Sequence, residues 1–205
     1  MSRSPMMLVT LLRVAAVLLG VAPAYAAVPA RDAPAPVYAP DGRMERPDAY
    51  REWVYLSTGI DMSYSEGAMA GHSMFDSVFV NPAAYAAFLR DGTWPEQTVL
   101  VLELRAAVGK GSINRAGKYQ SGEPMGLEVH VKDSKRYKGG WAFFSFDDGR
   151  YANAVPTDRD CYACHAEHAA VDTTFVQFYP TLLGLAIQKG TLSAGYRRDE
   201  AAALH

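Results

Sequence analysis

Thr98-Val99-Leu100-Val101-Leu102-Glu103-Leu104-Arg105 is the stretch on which the fold turns. Its residues alternate: Leu100, Leu102 and Leu104 share one face, and Val99, Val101 and Glu103 share the other, as in a β-strand. Downstream, residues 106–124 form a long loop with glycines at 109, 111, 117 and 122, and loops of that length are often functional. Leu127, Val129 and Val131 then alternate with Glu128, His130 and Lys132, the pattern of a half-buried strand with one wet face. Gly139-Gly140 marks a turn, and Trp141 to Phe146 reads as a further strand. Upstream, Asn81-Pro82 reads as an N-cap with proline at the first helical position, followed by Tyr85, Phe88 and Leu89 and stopped by Asp91-Gly92. Met74 to Val80 and Trp53 to Thr58 are strand candidates, with a polar, glycine-containing loop at 61–73 between them. Pro180 to Lys189 carries Leu182, Leu183, Ala186 and Ile187 and reads as a short amphipathic helix ended by Gly190. Strands following one another with short helices beside them predict an α+β fold with a mainly antiparallel sheet.

The 205 residues suffice for one domain with a real core, and a 49% hydrophobic content excludes a disordered composition. A net charge of −2 excludes a strongly basic nucleic-acid binder. Arg3 precedes an apolar run from Met6 to Val21, and Ala24-Tyr25-Ala26 places small residues where a signal peptidase reads. Residues 1–26 are therefore expected to be a signal peptide cleaved after Ala26, with an uncleaved anchor as the alternative. No further apolar run of spanning length follows, so no membrane span is expected after cleavage. Residues 27–46, rich in alanine and proline, read as a linker, 47–190 as the folded domain, and 191–205 as a C-terminal tail.

Export gives meaning to the only two cysteines, Cys161 and Cys164. Cys161-Tyr162-Ala163-Cys164-His165 fits C-x-x-C-H, the attachment pattern of c-type haem. Two thiols add across the two haem vinyl groups, and the adjoining histidine gives an imidazole nitrogen to iron. Three alternatives compete: a thioredoxin-like redox pair, a zinc site using Cys161, Cys164, His165 and His168, and a simple disulfide. The first lacks its βαβ context. The second would crowd four ligands into eight residues, and the third would close too small a loop to stabilise much. One covalent haem c per chain, on Cys161 and Cys164 with His165 on the iron, is the preferred reading.

The sixth iron position decides function. Met62, Met69, Met74, Met125, His72 and His130 are available to fill it. Met74 and His130 are expected to pack or face solvent in their strands, Met62, Met69 and His72 to lie in a loop, and His168 to lie on the surface or to support an iron ligand rather than be one. None stands out, which leans toward an open iron.

The order of these motifs resembles the cytochrome P-460 family, including the related cytochromes c′-beta, over roughly residues 50–183. The resemblance rests on Arg51-Glu52-Trp53-Val54-Tyr55, Val80-Asn81-Pro82, Gly126-Leu127-Glu128-Val129 with Lys132-Asp133-Ser134-Lys135-Arg136, and Gly140-Trp141-Ala142-Phe143-Phe144. It continues through Cys161–His165, Asp172 and Phe175-Val176-Gln177-Phe178-Tyr179-Pro180. It implies a small β-rich homodimer with one haem, a proximal histidine and a vacant distal face. Family members that oxidise hydroxylamine carry a lysine cross-linked to the haem edge, and Leu102 occupies its position here; Lys110 and Lys118 are possible substitutes. Those enzymes also use a distal carboxylate shortly before the haem motif, which falls near Asn153 or Ala154; Asp147 and Asp148 read instead as an exposed turn. Both departures move the chain toward the nitric oxide-binding side of the family. Phe75, Phe79, Phe144 and Phe146 are candidates for an apolar distal face, against ordinary core packing. The expectation is a periplasmic haem protein that binds or transforms nitric oxide or hydroxylamine and meets a redox partner protein. An oxidoreductase and a six-coordinate electron carrier are the competing readings.

Overall fold

The computed structural model describes residues 36–63, 73–120 and 122–203. The leader expected at 1–26 and the loop residues Met69 and His72 lie outside the described residues. In chain order the elements are β1 (Met44–Glu45), β2 (Val54–Ile60), β3 (Met74–Val80), α1 (Pro82–Asp91), β4 (Val99–Val108), β5 (Tyr119–Gln120), β6 (Gly126–Lys132), β7 (Trp141–Phe146), β8 (Tyr151–Ala152), α2 (Asp160–His168), α3 (Pro180–Lys189) and α4 (Ala194–Ala203). Among the described residues the fold is α+β, with a mostly antiparallel sheet and four short helices.

The alternating stretch around Leu102 is the centre of that sheet. Strand order is β2-β3-β4-β6-β7, and β5 pairs with the far end of β4. Leu102 lies opposite Val78 on one side and Glu128 on the other, and Val101 lies opposite Phe79 and Val129. Cross-strand partners share a face, so each face is composed by the same parity on every strand. One face carries Val99, Val101, Leu127, Val129, Val131, Phe144 and Phe146, closed over by Met44 and Tyr50. Each such buried side chain contributes about 1.5–3 kcal/mol. The other face carries Val80, Leu100 and Trp141 at one end, roofed by Phe88 of α1, Leu182 and Ala186 of α3, and Trp94.

Helix boundaries follow local chemistry. Pro82 and Pro180 start α1 and α3, where a missing N–H is no loss. Gly92 ends α1 in the left-handed region (φ 72°), and a Cβ there would lie 2.7 Å from Cβ of Lys189. The cap expected at Asn81 takes another form: its side chain accepts from Val99 N (2.9 Å) and donates to Gln97 O (3.2 Å), clasping the start of β4.

Both ends of the domain reach further than expected. Met44, assigned to the linker, is 1% exposed and pairs with Ala152, so β1 and β8 form a small ribbon. Two-residue strands leave no periodic trace in a sequence. The expected tail is largely α4, which packs on α2. Its amphipathic signal is weak, and docking is decided by backbone contact: Gly195 lies so close to Glu167 that a Cβ would stand 1.8 Å from that residue's carbonyl oxygen. Ser193 adds bonds to Ala169 O and Ala170 O. Among the described residues no helix is long and apolar enough to cross a membrane.

Candidate functional site

The helices roof only part of the leucine face. Beyond Leu100 the same face opens on a cavity of about 350 Å³, floored by Met74, Asp76 and Val78 of β3, Leu102 and Leu104 of β4, Glu128 and His130 of β6, and Phe143 of β7. His165, Thr174, Phe175, Phe178 and Tyr179 close it from the other side. Its size lies within the range of small-molecule and cofactor pockets, and its walls are mostly apolar.

His165 is the polar group best placed in that cavity. Its Nδ1 lies 2.7 Å from the main-chain carbonyl of Thr173. A carbonyl can only accept, so Nδ1 carries the proton and Nε2 keeps its lone pair. Burial pushes the imidazole below its ordinary pKa, against the Thr173 bond that raises it. A neutral ring with a fixed tautomer is the form that ligates a metal. Phe175 packs against the ring (centroids 4.2 Å apart) and Phe143 meets its edge (4.7 Å). His130, expected on a wet face, is 8% exposed, stacked on Phe143 at 3.9 Å, with Nε2 buried and unpartnered. Burial and the adjacent His165 hold it well below its ordinary pKa.

Cys161, Cys164 and His165 fall at i, i+3 and i+4 on α2, hence on one side of that helix. Tyr162 ties α2 to the sheet by donating to Val155 O (3.0 Å) and accepting from Phe143 N (3.2 Å). Both thiols are free and half-buried. Burial, then the charges of Glu167 and Cys161, push the Cys164 thiol up. Cys164 lines a hollow that shares Phe175 and Phe178 with the main cavity, whereas Cys161 lines a separate one beside Val155 and Arg159. The structure thus brings His165 into the cavity, puts Cys164 in the hollow that adjoins it and leaves Cys161 in a separate one. Among the described residues no three His, Cys, Asp or Glu side chains converge as a metal-ion site, and His168 is engaged by Asp199 at 2.8 Å.

A family model described as Cytochrome P460 matches residues 47–176, more than half of the chain. The chain belongs to the cytochrome P460 family. No curated protein matches it. Membership in the P460 family implies a haem cofactor, and the residues present fit one: a neutral imidazole with its lone pair free in a mostly apolar cavity, and two free thiols on the same side of the helix that carries it.

Several expectations for this P460 site need correction. Phe75, Phe79, Phe144 and Phe146 sit on the sheet face away from the cavity, because their parity matches Val101 rather than Leu102, and Phe79, Phe144 and Phe146 belong to or pack on the core closed by Met44 and Tyr50. The cavity's apolar floor is aliphatic instead. Asn153 and Ala154 are exposed and do not line the cavity, nor do Lys110, Lys118 or Met125. Asp147 and Asp148 are exposed, as expected of a turn. Leu102 does face the cavity. The carboxylates that reach it are ones sequence reasoning passed over, Asp76 and Glu128. A lone aspartate inside the apolar run of β3 was the available signal. Met62 and Met74 also line the cavity.

Burial, then the charges of Glu128 and Asp61, push the Asp76 carboxyl up to about 6. Glu128 keeps much of its side chain accessible through the cavity, yet its carboxyl is also raised by burial. A folded-state pKa raised above the ordinary 3.8 means that the folded protein holds this proton more firmly than the unfolded chain. Stability therefore falls as pH rises from about 4 to about 6. Asp76→Asn is expected to remove that loss, melting several degrees above wild type at pH 7.5 and no higher at pH 3.5. Thermal melts at the two pH values check it.

Proposed function

We propose that this protein is an exported mono-haem c-type cytochrome whose iron keeps one open side for small nitrogen species, nitric oxide above all. The observation that carries the reading is His165, fixed through Nδ1 and presenting Nε2 to a cavity whose facing wall is built on Leu102 and Leu104. In this reading Cys161 and Cys164 would hold the haem, each adding its S–H across one vinyl double bond so that sulfur goes to one carbon and hydrogen to the other. Bound there, haem supplies an iron coordination position able to take a diatomic ligand and exchange one electron. Leu102, Leu104 and Val78 exclude water and offer no hydrogen bond, which favours a small apolar ligand over a polar one. With leucine at position 102 the family's cross-linking position offers no amine, and Lys110 and Lys118 do not line the cavity.

Asp76 and Glu128 support a second reading, oxidation of hydroxylamine, because a carboxyl raised toward neutrality can accept a proton from a substrate on the cavity floor. The resemblance further supports a homodimer in the periplasm that exchanges electrons with a partner protein. Anaerobic titration of the ferrous protein with nitric oxide tests the leading reading. Saturation at one equivalent per haem is expected, with no steady turnover of hydroxylamine in the presence of an artificial oxidant. Indifference to nitric oxide contradicts it, and sustained turnover abolished by Asp76→Asn or Glu128→Gln selects the enzyme.

A further inference from the structure

The carbonyl that holds His165 sits in a backbone conformation its own residue disfavours. Val171 and Thr174 bond to each other around Asp172 (φ 50°) and Thr173 (φ 60°), with Thr174 N on Val171 O at 2.8 Å. Two consecutive positive φ values inside such a pair mark a type I′ turn, where Gly and Asn are preferred. Aspartate tolerates this region; a β-branched threonine is an outlier, persisting only where its surroundings impose it. The Thr173 hydroxyl offers no compensation, since its Oγ1 is buried without a partner. What the turn delivers is the Thr173 carbonyl, 2.7 Å from Nδ1 of His165.

Lys132, at the end of β6, imposes the turn. Its Nζ donates to Asp172 Oδ2 at 2.8 Å and to Trp94 O at 2.7 Å. Trp94 in turn donates its indole N–H to Thr174 Oγ1 at 2.7 Å, so both halves of the turn are tied to one anchor. The lysine side chain is 18% exposed, which shields the pair from solvent screening.

We propose that the Lys132–Asp172 ion pair positions the axial histidine, holding the strained turn so that the Thr173 carbonyl stays on Nδ1 and strengthens Nε2 as a donor. The inference rests on His165 being the iron ligand. A hydrogen bond accepted from Nδ1–H raises the basicity of the opposite nitrogen. A more basic donor favours ferric over ferrous iron and lowers the midpoint potential.

The test uses the haem-loaded exported protein and reads midpoint potential together with the iron–histidine stretching frequency of the ferrous form. Lys132→Met and Asp172→Asn are both expected to raise the potential and lower the frequency. The ferrous-to-ferric ratio at fixed potential rises about tenfold, equivalent to about 59 mV for one electron. Asparagine keeps the tolerance for positive φ, so Asp172→Asn removes only the ion pair. Lys132→Arg, which keeps the pair, stays near wild type. Thr173→Gly retains the carbonyl and adopts the turn unaided, so it is neutral alone and restores the potential in the Lys132→Met background. Potentials that move in opposite directions in the two variants, as simple loss of a positive and a negative charge would give, overturn the proposal. So do unchanged values or a failed Thr173→Gly rescue. A wild-type protein that is high-spin and five-coordinate yet shows no iron–histidine band overturns the assignment of His165 instead.

Discussion

Replacing Glu103 with alanine is expected to remove about 3–5 kcal/mol of stability, a fall in melting temperature of about 10 °C. Glu103 belongs to the central strand but to the face away from the cavity, and it is 1% exposed. Tyr50 and Arg51 both donate to its Oε2, and Arg105 Nε donates to Oε1 at 2.6 Å. Burial alone would raise this carboxyl, but the hydrogen bonds of Arg105 and Tyr50 and the charges of Arg105 and Arg51 hold it below its ordinary value. Removing it strands the Arg105 guanidinium, 13% exposed, and the Tyr50 hydroxyl, the situation in which a broken buried pair is most damaging. The sign of the pH dependence follows. A depressed folded-state pKa gives stability that is present above the ordinary 4.5 and lost as pH falls through the lower, folded value. The gap between wild type and Glu103→Ala is therefore widest near neutrality and narrows in acid. Denaturant unfolding at pH 7 and pH 3 measures it; equal gaps at both contradict this account of Glu103.

Replacing both Cys161 and Cys164 with alanine is expected to abolish haem retention through denaturation. The two thiols stand on one side of α2, three residues apart, both free and half-buried. If haem is held as proposed, their loss leaves His165 as the sole bond between chain and haem, and a single coordinate bond does not survive unfolding. Each single substitution leaves one thioether and intermediate retention. Haem stain after denaturing electrophoresis, with intact mass, reads the result. A double variant that still carries covalent haem would mean that another side chain forms the link.

The sheet was legible because its periodicity is clean. Met74–Val80 and Trp141–Phe146 emerge with the boundaries expected, and the parity of Leu100, Leu102 and Leu104 divides the two faces correctly. The helices α1 and α3 were legible from a proline at the start and a left-handed glycine at the end. What alternation does not reveal is what covers each face. Glu128, His130 and Lys132 read as a wet face, yet they look onto the cavity, pack on Phe143 and pair with Asp172. Polar residues gathered at a site mimic a solvated surface in one dimension. The same ambiguity left Phe75, Phe79, Phe144 and Phe146 between a ligand wall and ordinary core packing, and for Phe79, Phe144 and Phe146 the structure gives core packing. The C-x-x-C-H spacing placed Cys161, Cys164 and His165 on one side of a single helix, α2, as i, i+3 and i+4 require. The Thr173 carbonyl was not legible, since a main-chain acceptor leaves no mark on residue type.

The ferrous absorption spectrum of the purified, exported protein tests the central claim most directly. A haem on His165 with an open opposite side predicts a high-spin, five-coordinate spectrum. A low-spin spectrum would contradict it, placing a sixth protein ligand on the iron, with Met62 and Met74 on the cavity wall as the first side chains to replace.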